Sequence, residues 1–234
     1  MSGMIDIQNG HYEREGFELR MSFSVPRGAM VSVIGPSGAG KSTLLNIIAG
    51  FDQLKSGSID LNGKDVSAAP PAARPVSFVF QDNNSFAHLS VRDNVALGIA
   101  PSLRLSAAND AVVMAAISRV GLGDLADRKP GALSGGELQR VALARVLVRQ
   151  RPILLLDEPF AALGPGLRKD MMRLLQELQA EQNLTVLMVT HQPDDARAMG
   201  GDIMFVGDGQ VRAPVAAAAF FKNPDQAIAT YLGN

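Results

Sequence analysis

The segment Gly35-Pro-Ser-Gly-Ala-Gly-Lys41-Ser42-Thr43 stands between the largely apolar run "MVSVI" and the helix-forming run "LLNIIAG". Few folds accommodate that succession. A strand that is apolar on both faces must be covered on both faces, which is the condition of a strand inside a parallel sheet. The glycine-rich turn at its carboxyl end has the spacing GxxxxGK[ST] of a phosphate-binding loop. Gly35, Gly38 and Gly40 let backbone N–H groups turn inward around phosphate oxygens, and Pro36, Ser37 and Ala39 complete the loop. Lys41 supplies a point charge for the β- and γ-phosphates of ATP. The Ser42 hydroxyl is placed for Mg²⁺, and Thr43 closes the ATP-binding segment.

Two more runs, "ILLLDE" (153–158) and "TVLMVTH" (185–191), are apolar on both faces and end in reactive side chains. Open α/β sheets bind ligands at the carboxyl edge of such strands. Asp157 suits the Mg²⁺ shell there. Glu158, one residue on, is the candidate base for in-line attack of water on the γ-phosphorus. His191 ends the neighbouring strand, so a catalytic contact to the γ-phosphate is expected of it. Gln81, at the end of "VSFVFQ", is expected in the Mg²⁺ or water shell as well as the ATP site.

Other segments alternate, as half-buried antiparallel strands do: Phe17, Leu19, Met21, Phe23 and Val25 share one face, and "SIDLNGK" (58–64) repeats the pattern. An Asp-Gly pair inside 203–211 marks a hairpin. Between Gln81 and Gln150 the strand signals stop, and 106–122 and 134–149 have helical composition. The expected fold is α/β: a P-loop core with an N-terminal antiparallel sheet (1–82 and 150–234) and a helical subdomain (83–149), all in one domain. The proline-rich stretch 68–75 is expected to be a surface connection.

The stretch "LSGGELQR" (133–140) reads as a second anion-binding helix N-terminus. Ser134 and Glu137 have capping-box spacing, which leaves Gly135 and Gly136 unaccounted for. Both glycines make sense if another molecule's phosphates approach the backbone. A second copy of the chain, set head to tail, would bring its own nucleotide there, so the four residues form a partner-site ATP contact. A net charge of −1 offers no electrostatic case for nucleic acid, and the chain has no cysteine for disulfides or thiolate metal sites. With no run of 18 apolar residues and no signal-peptide pattern at its start, the chain is expected in the cytoplasm.

The ordered set GPSGAGKST, Gln81, LSGGE, LLLDEP and His191 resembles the ATPase subunits of ABC transporters across essentially the whole chain. The resemblance implies a RecA-like core, an ATP-driven homodimer and docking to integral membrane permease subunits near the Gln81 loop. It also implies an indirect partner, a periplasmic solute-binding protein, and a place on the cytoplasmic face of the bacterial inner membrane. It calls for an aromatic side chain on adenine, matched by Tyr12, with His11 or Phe17 as substitutes. Phe86 and Leu89 either meet the permease or tuck into the helical subdomain. Residues 70–94 resemble the ATPases of thiamine importers, on the "FQDNNSF" portion above all. Importers of polyamines, oxyanions or sugars share the Pro-Pro and "HLSV" parts, and a soluble cluster-assembly ATPase is a further reading. One departure stands out: "AALGPG" has Gly164 where these families carry an aspartate that speaks across the dimer.

Overall fold

In the computed structural model the described residues are 3–80 and 85–233, so Gln81 lies outside them. The chain begins with long strands β1 (Ile5–Arg14) and β2 (Phe17–Val25), an antiparallel pair, followed by the short β3 (Met30–Ile34). Along β2 the five alternating apolar residues point inward, as their spacing requires. Helix α1 (Lys41–Ala49) leaves the glycine-rich loop, and β4 (Ser56–Leu61) and β5 (Lys64–Asp65) extend the antiparallel sheet beside β1. The parallel sheet resumes at β6 (Val76–Val79).

Helices α2 (Val91–Ala96), α3 (Ala107–Arg119) and α4 (Gly135–Arg149) then pack on one another through Val91, Val95, Val113, Ile117 and Val141. Ser90, Ser106 and Ser134 each cap the helix that follows, accepting from a backbone N–H three residues on. Strand β7 (Ile153–Asp157), helix α5 (Pro165–Gln182), strand β8 (Thr185–Val189), helix α6 (Pro193–Met199) and strand β9 (Asp202–Gly207) return to the core. β10 (Gln210–Val211) closes the expected hairpin, with Asp208 and Gly209 both at positive φ as its two-residue turn demands. The chain finishes with β11 (Val215–Ala216), α7 (Ala217–Lys222) and α8 (Gln226–Leu232).

The strand order is β5-β4-β1-β2-β10-β9-β3-β8-β7-β6, with β11 on β9. Within it β9, β3, β8, β7 and β6 run parallel. Consequently β3, β8 and β7 lie side by side and present their carboxyl ends together. Their apolar residues divide between two cores: Val31, Val33, Leu155 and Val189 pack under α1 and the antiparallel sheet, and Leu154, Leu156, Val186 and Met188 pack under α5 and the helical segment. Coverage on both faces is what the double-sided apolar runs required.

The proline-rich connection runs along the surface as expected, except at its one cation. That residue, Arg74, is 1% exposed and donates through Nη1 to the carbonyls of Ile47 (2.8 Å) and Ile48 (3.0 Å). These carbonyls lie in the last turn of α1, where a positive charge is favoured by the helix dipole. Arg74 thereby fixes the far end of the helix that starts at the phosphate loop.

Candidate active site

The loop after β3 reaches its helix through backbone that side chains resist. Gly35 has φ 151° and a Cβ there would lie 2.0 Å from the Val206 carbonyl oxygen, so β9 permits only glycine. Gly40, at φ 102°, is the N-cap of α1 and has no side chain to satisfy the first amides, which leaves them facing the loop. Lys41 folds back over that loop, its Nζ donating to the carbonyls of Gly35 (2.9 Å) and Pro36 (2.8 Å). Burial pushes the Lys41 ammonium down from its ordinary value, while the carboxylates of Glu158 and Asp157 oppose the shift.

Asp157 and Glu158 emerge from β7 beside this loop. Burial pushes the Asp157 carboxyl up; its hydrogen bond with Ser42 pulls the other way, the nearby Glu158 charge adds to the rise, and Lys41 counters it. The Ser42 hydroxyl and the Asp157 carboxylate are therefore neighbouring hard oxygen donors, the set a magnesium ion takes from protein. Glu158 has φ 46°, in the left-handed region, with its N–H held by the Val189 carbonyl at 3.1 Å. A non-glycine residue there stores on the order of 1–3 kcal/mol of strain, so the surrounding structure is holding this carboxylate in place. Its Oε2 lies 3.1 Å from Nδ1 of His191, which extends from the end of β8. A pocket of about 280 Å³ lies between Glu158, Ser37, Gly38, Lys41 and Thr43, closed on one side by Phe17.

Of the three aromatic candidates, Phe17 lies beside the loop. Tyr12 is 6% exposed, packed in the core with its ring edge against Phe17 (centroids 6.3 Å apart). Phe17, one of the two substitutes, lines the pocket and touches the loop at Gly40. His11, the other substitute, sits 3.6 Å from Glu18 on the strand pair and does not line the pocket. The three candidates occupy one hairpin, and which of them faces the loop depends on strand register that sequence spacing does not reveal.

Ser134 and Glu137 form the full capping box: each side chain bonds the other's backbone N–H. The paired glycines part company. A Cβ on Gly136 would meet Leu167 Cδ2 at 2.2 Å, so this glycine has a reason inside its own chain, whereas a Cβ on Gly135 meets nothing within 4 Å. Gly136 thus has a packing reason of its own beside the expected contact to a second molecule, and Gly135 has none within its chain. Gly136→Ala should cost about 1–2 kcal/mol by overpacking against α5, and Gly135→Ala should leave urea unfolding within about 0.5 kcal/mol of the parent. Equal losses in the two variants would contradict this division.

One tie was not foreseen. Arg168 on α5 donates through Nη2 to the Phe160 carbonyl (3.1 Å) and through Nη1 to Gln192, and lies 3.6 Å from Asp195. It joins the segment after Glu158 to the segment after His191. A lone arginine on a polar helix face carries no signal of this, since its partners come from two separate stretches of chain.

The family model described as ABC transporter matches residues 19–161, which takes in the phosphate loop, the capping-box segment and the Asp157–Glu158 pair. The chain belongs to the ABC transporter family, as an ATP-binding subunit and an ATPase. A thiamine import ATP-binding protein ThiQ from Mesorhizobium japonicum is 54% identical to it over 219 residues, 92% of this chain and 87% of the relative. Another ThiQ, from a Ruegeria species, is 47% identical over 98% of this chain and all of its own. Among solved structures, a bacterial ABC transporter cassette determined as a dimer superimposes with a TM-score of 0.78 at 31% identity, over 92% of this chain and 99% of that one. A nucleotide-free ATP-binding cassette gives 0.84 at 25% identity, over 99% and 95%. The RecA-like core, antiparallel sheet and helical segment expected from the sequence are the fold of these ATPases. No helix among the described residues is long and apolar enough to cross a membrane.

Proposed function

We propose that this ATPase powers a bacterial importer of thiamine, working as a head-to-tail homodimer bound to membrane permease subunits on the cytoplasmic face of the inner membrane. The carrying observation is catalytic: the phosphate loop and Glu158 line one small pocket, and His191, from the end of the strand between theirs, meets Glu158 at 3.1 Å. In the proposed reaction the loop amides and Lys41 bind the β- and γ-phosphates, for which Lys41 exchanges its two carbonyl contacts for phosphate oxygens. Glu158 accepts a proton from the attacking water, and His191 contacts the γ-phosphate while its ring is oriented by Glu158. Ser42 and Asp157 would hold Mg²⁺, with Gln81 as a further candidate; the ion would supply charge neutralisation to the triphosphate. Phe17 is the aromatic placed to meet the nucleotide.

The dimer is supported by Gly135, left open by its own chain and exposed beside Ser134 at a helix N-terminus. Gly164 caps α5 with its Cβ direction open and no side-chain contact. Within one copy the absent carboxylate costs only a helix cap, a few tenths of a kcal/mol, and its larger proposed consequence lies in the pairing of two copies. Docking to the permease is supported by Phe86, 48% exposed instead of tucked among the helices, next to a cavity of about 390 Å³ walled by Phe78, Phe80, Ala142 and Arg145.

Thiamine as cargo rests on the ThiQ relatives. The test is import: with its permease and a periplasmic solute-binding protein in proteoliposomes, the chain should drive ATP-dependent uptake of labelled thiamine. Uptake of a polyamine, oxyanion or sugar in its place would remove the assignment of cargo and leave the ATPase reading intact.

A further inference from the structure

We propose that Tyr231, on the last helix of the chain, is a positioning residue that holds the His191 segment against the phosphate loop during turnover. Its hydroxyl donates to the His191 carbonyl oxygen at 3.3 Å. The phenol oxygen itself faces the Gly35 backbone N–H, at the first residue of the phosphate loop. One side chain thus lies between two loops that leave adjacent strands, bonded to one and facing the other. The bond reaches the catalytic pair directly, because the residue whose carbonyl it holds is the one whose ring meets Glu158.

The phenol is well anchored for this. Its ring stands edge-on to Phe205 in β9, with centroids 5.8 Å apart. Helix α8 is capped by Asp225, which accepts from the Ile228 N–H and pairs with Arg212. Ile228 is buried in the small core with Phe205 and Phe220. Burial pushes the hydroxyl pKa up from its ordinary value, the Gly35 bond opposes that, and the Glu158 charge adds to it. Tyr231 consequently keeps its proton wherever the ATPase works, and remains a donor to His191. Ring burial alone would have been served by phenylalanine; among the described residues the hydroxyl spends its proton on the His191 carbonyl.

The inference rests on the assignment of His191 to the γ-phosphate, and the experiment separates the two. In the full chain, under conditions where the parent turns over ATP, Tyr231→Phe removes one oxygen and keeps the ring. We expect kcat to fall about threefold to tenfold, the loss of one hydrogen bond's worth of organisation. ATP affinity and the thermal unfolding midpoint should stay at parental values. In a His191→Ala background, Tyr231→Phe should cost nothing further, because the residue it positions has gone. An unchanged kcat in Tyr231→Phe overturns the proposal, as does a loss that multiplies fully onto that of His191→Ala. Weakened ATP binding in proportion to kcat would make Tyr231 a support of the phosphate loop alone, and also overturns it. If His191→Ala by itself leaves turnover unchanged, the reading of His191 fails and takes the proposal with it, whatever Tyr231→Phe shows.

Discussion

Glu158→Gln is expected to bind ATP as the parent does and to hydrolyse it about 10²- to 10⁴-fold more slowly, the usual worth of a positioned general base. The substitution is nearly isosteric, so the 3.1 Å approach to His191 and the backbone bond to Val189 are both retained. An amide cannot take the proton of the attacking water, so the chemical step alone is affected. Because nucleotide stays bound, the variant should run as a dimer with ATP and as a monomer without it. Ser134→Arg in the same background should keep ATP on each monomer and prevent pairing, since its side chain would fill the open face beside Gly135. Multiple-turnover hydrolysis at the parental rate by Glu158→Gln would remove the base from the mechanism. Normal dimerisation of the Ser134→Arg protein would leave the capping box as the whole role of that segment.

Lys41→Ala should act one step earlier. In the structure its ammonium is nearly enclosed, desolvated, and satisfied by two loop carbonyls and two nearby carboxylates. Charge-assisted hydrogen bonds to phosphate are worth roughly 1.5–3 kcal/mol each. Losing two such bonds should weaken MgATP binding by roughly 10²- to 10⁴-fold. The removal also leaves Gly35 and Pro36 carbonyls facing the triphosphate without a cation between. Equilibrium dialysis with labelled ATP measures the effect; a change of less than about threefold would mean that the loop amides carry phosphate recognition without Lys41.

Much of the active site was legible because its parts are local. A phosphate loop is nine consecutive residues whose conformation is dictated by glycines, and its ligand contacts are mainly backbone amides that cannot be mutated away. Asp157, Glu158 and His191 could be placed at one sheet edge because double-sided apolar runs imply parallel strands, whose carboxyl ends meet. The β2 alternation, the Asp-Gly hairpin and the serine-capped helix at 134 belong to the same class: each depends on residues within one turn or one strand.

The remainder depended on which distant segments touch. Phe17 and Tyr12 have the same chemistry and sit on paired strands, and only the twist and register of β1 against β2 turned Phe17 toward the loop and buried Tyr12. Gly135 and Gly136 are indistinguishable in sequence; the Leu167 side chain, from 31 residues further on, separates them. Arg74, Arg168 and Tyr231 bond to carbonyls or amides contributed by other segments, and a backbone carbonyl has no sequence signature at all. The chemistry of this ATPase was therefore set by short motifs whose backbone conformation is encoded locally. Its alignment, meaning which aromatic meets the pocket and what holds the loops in register, came from long-range packing, where a partner is chosen by position and not by residue type.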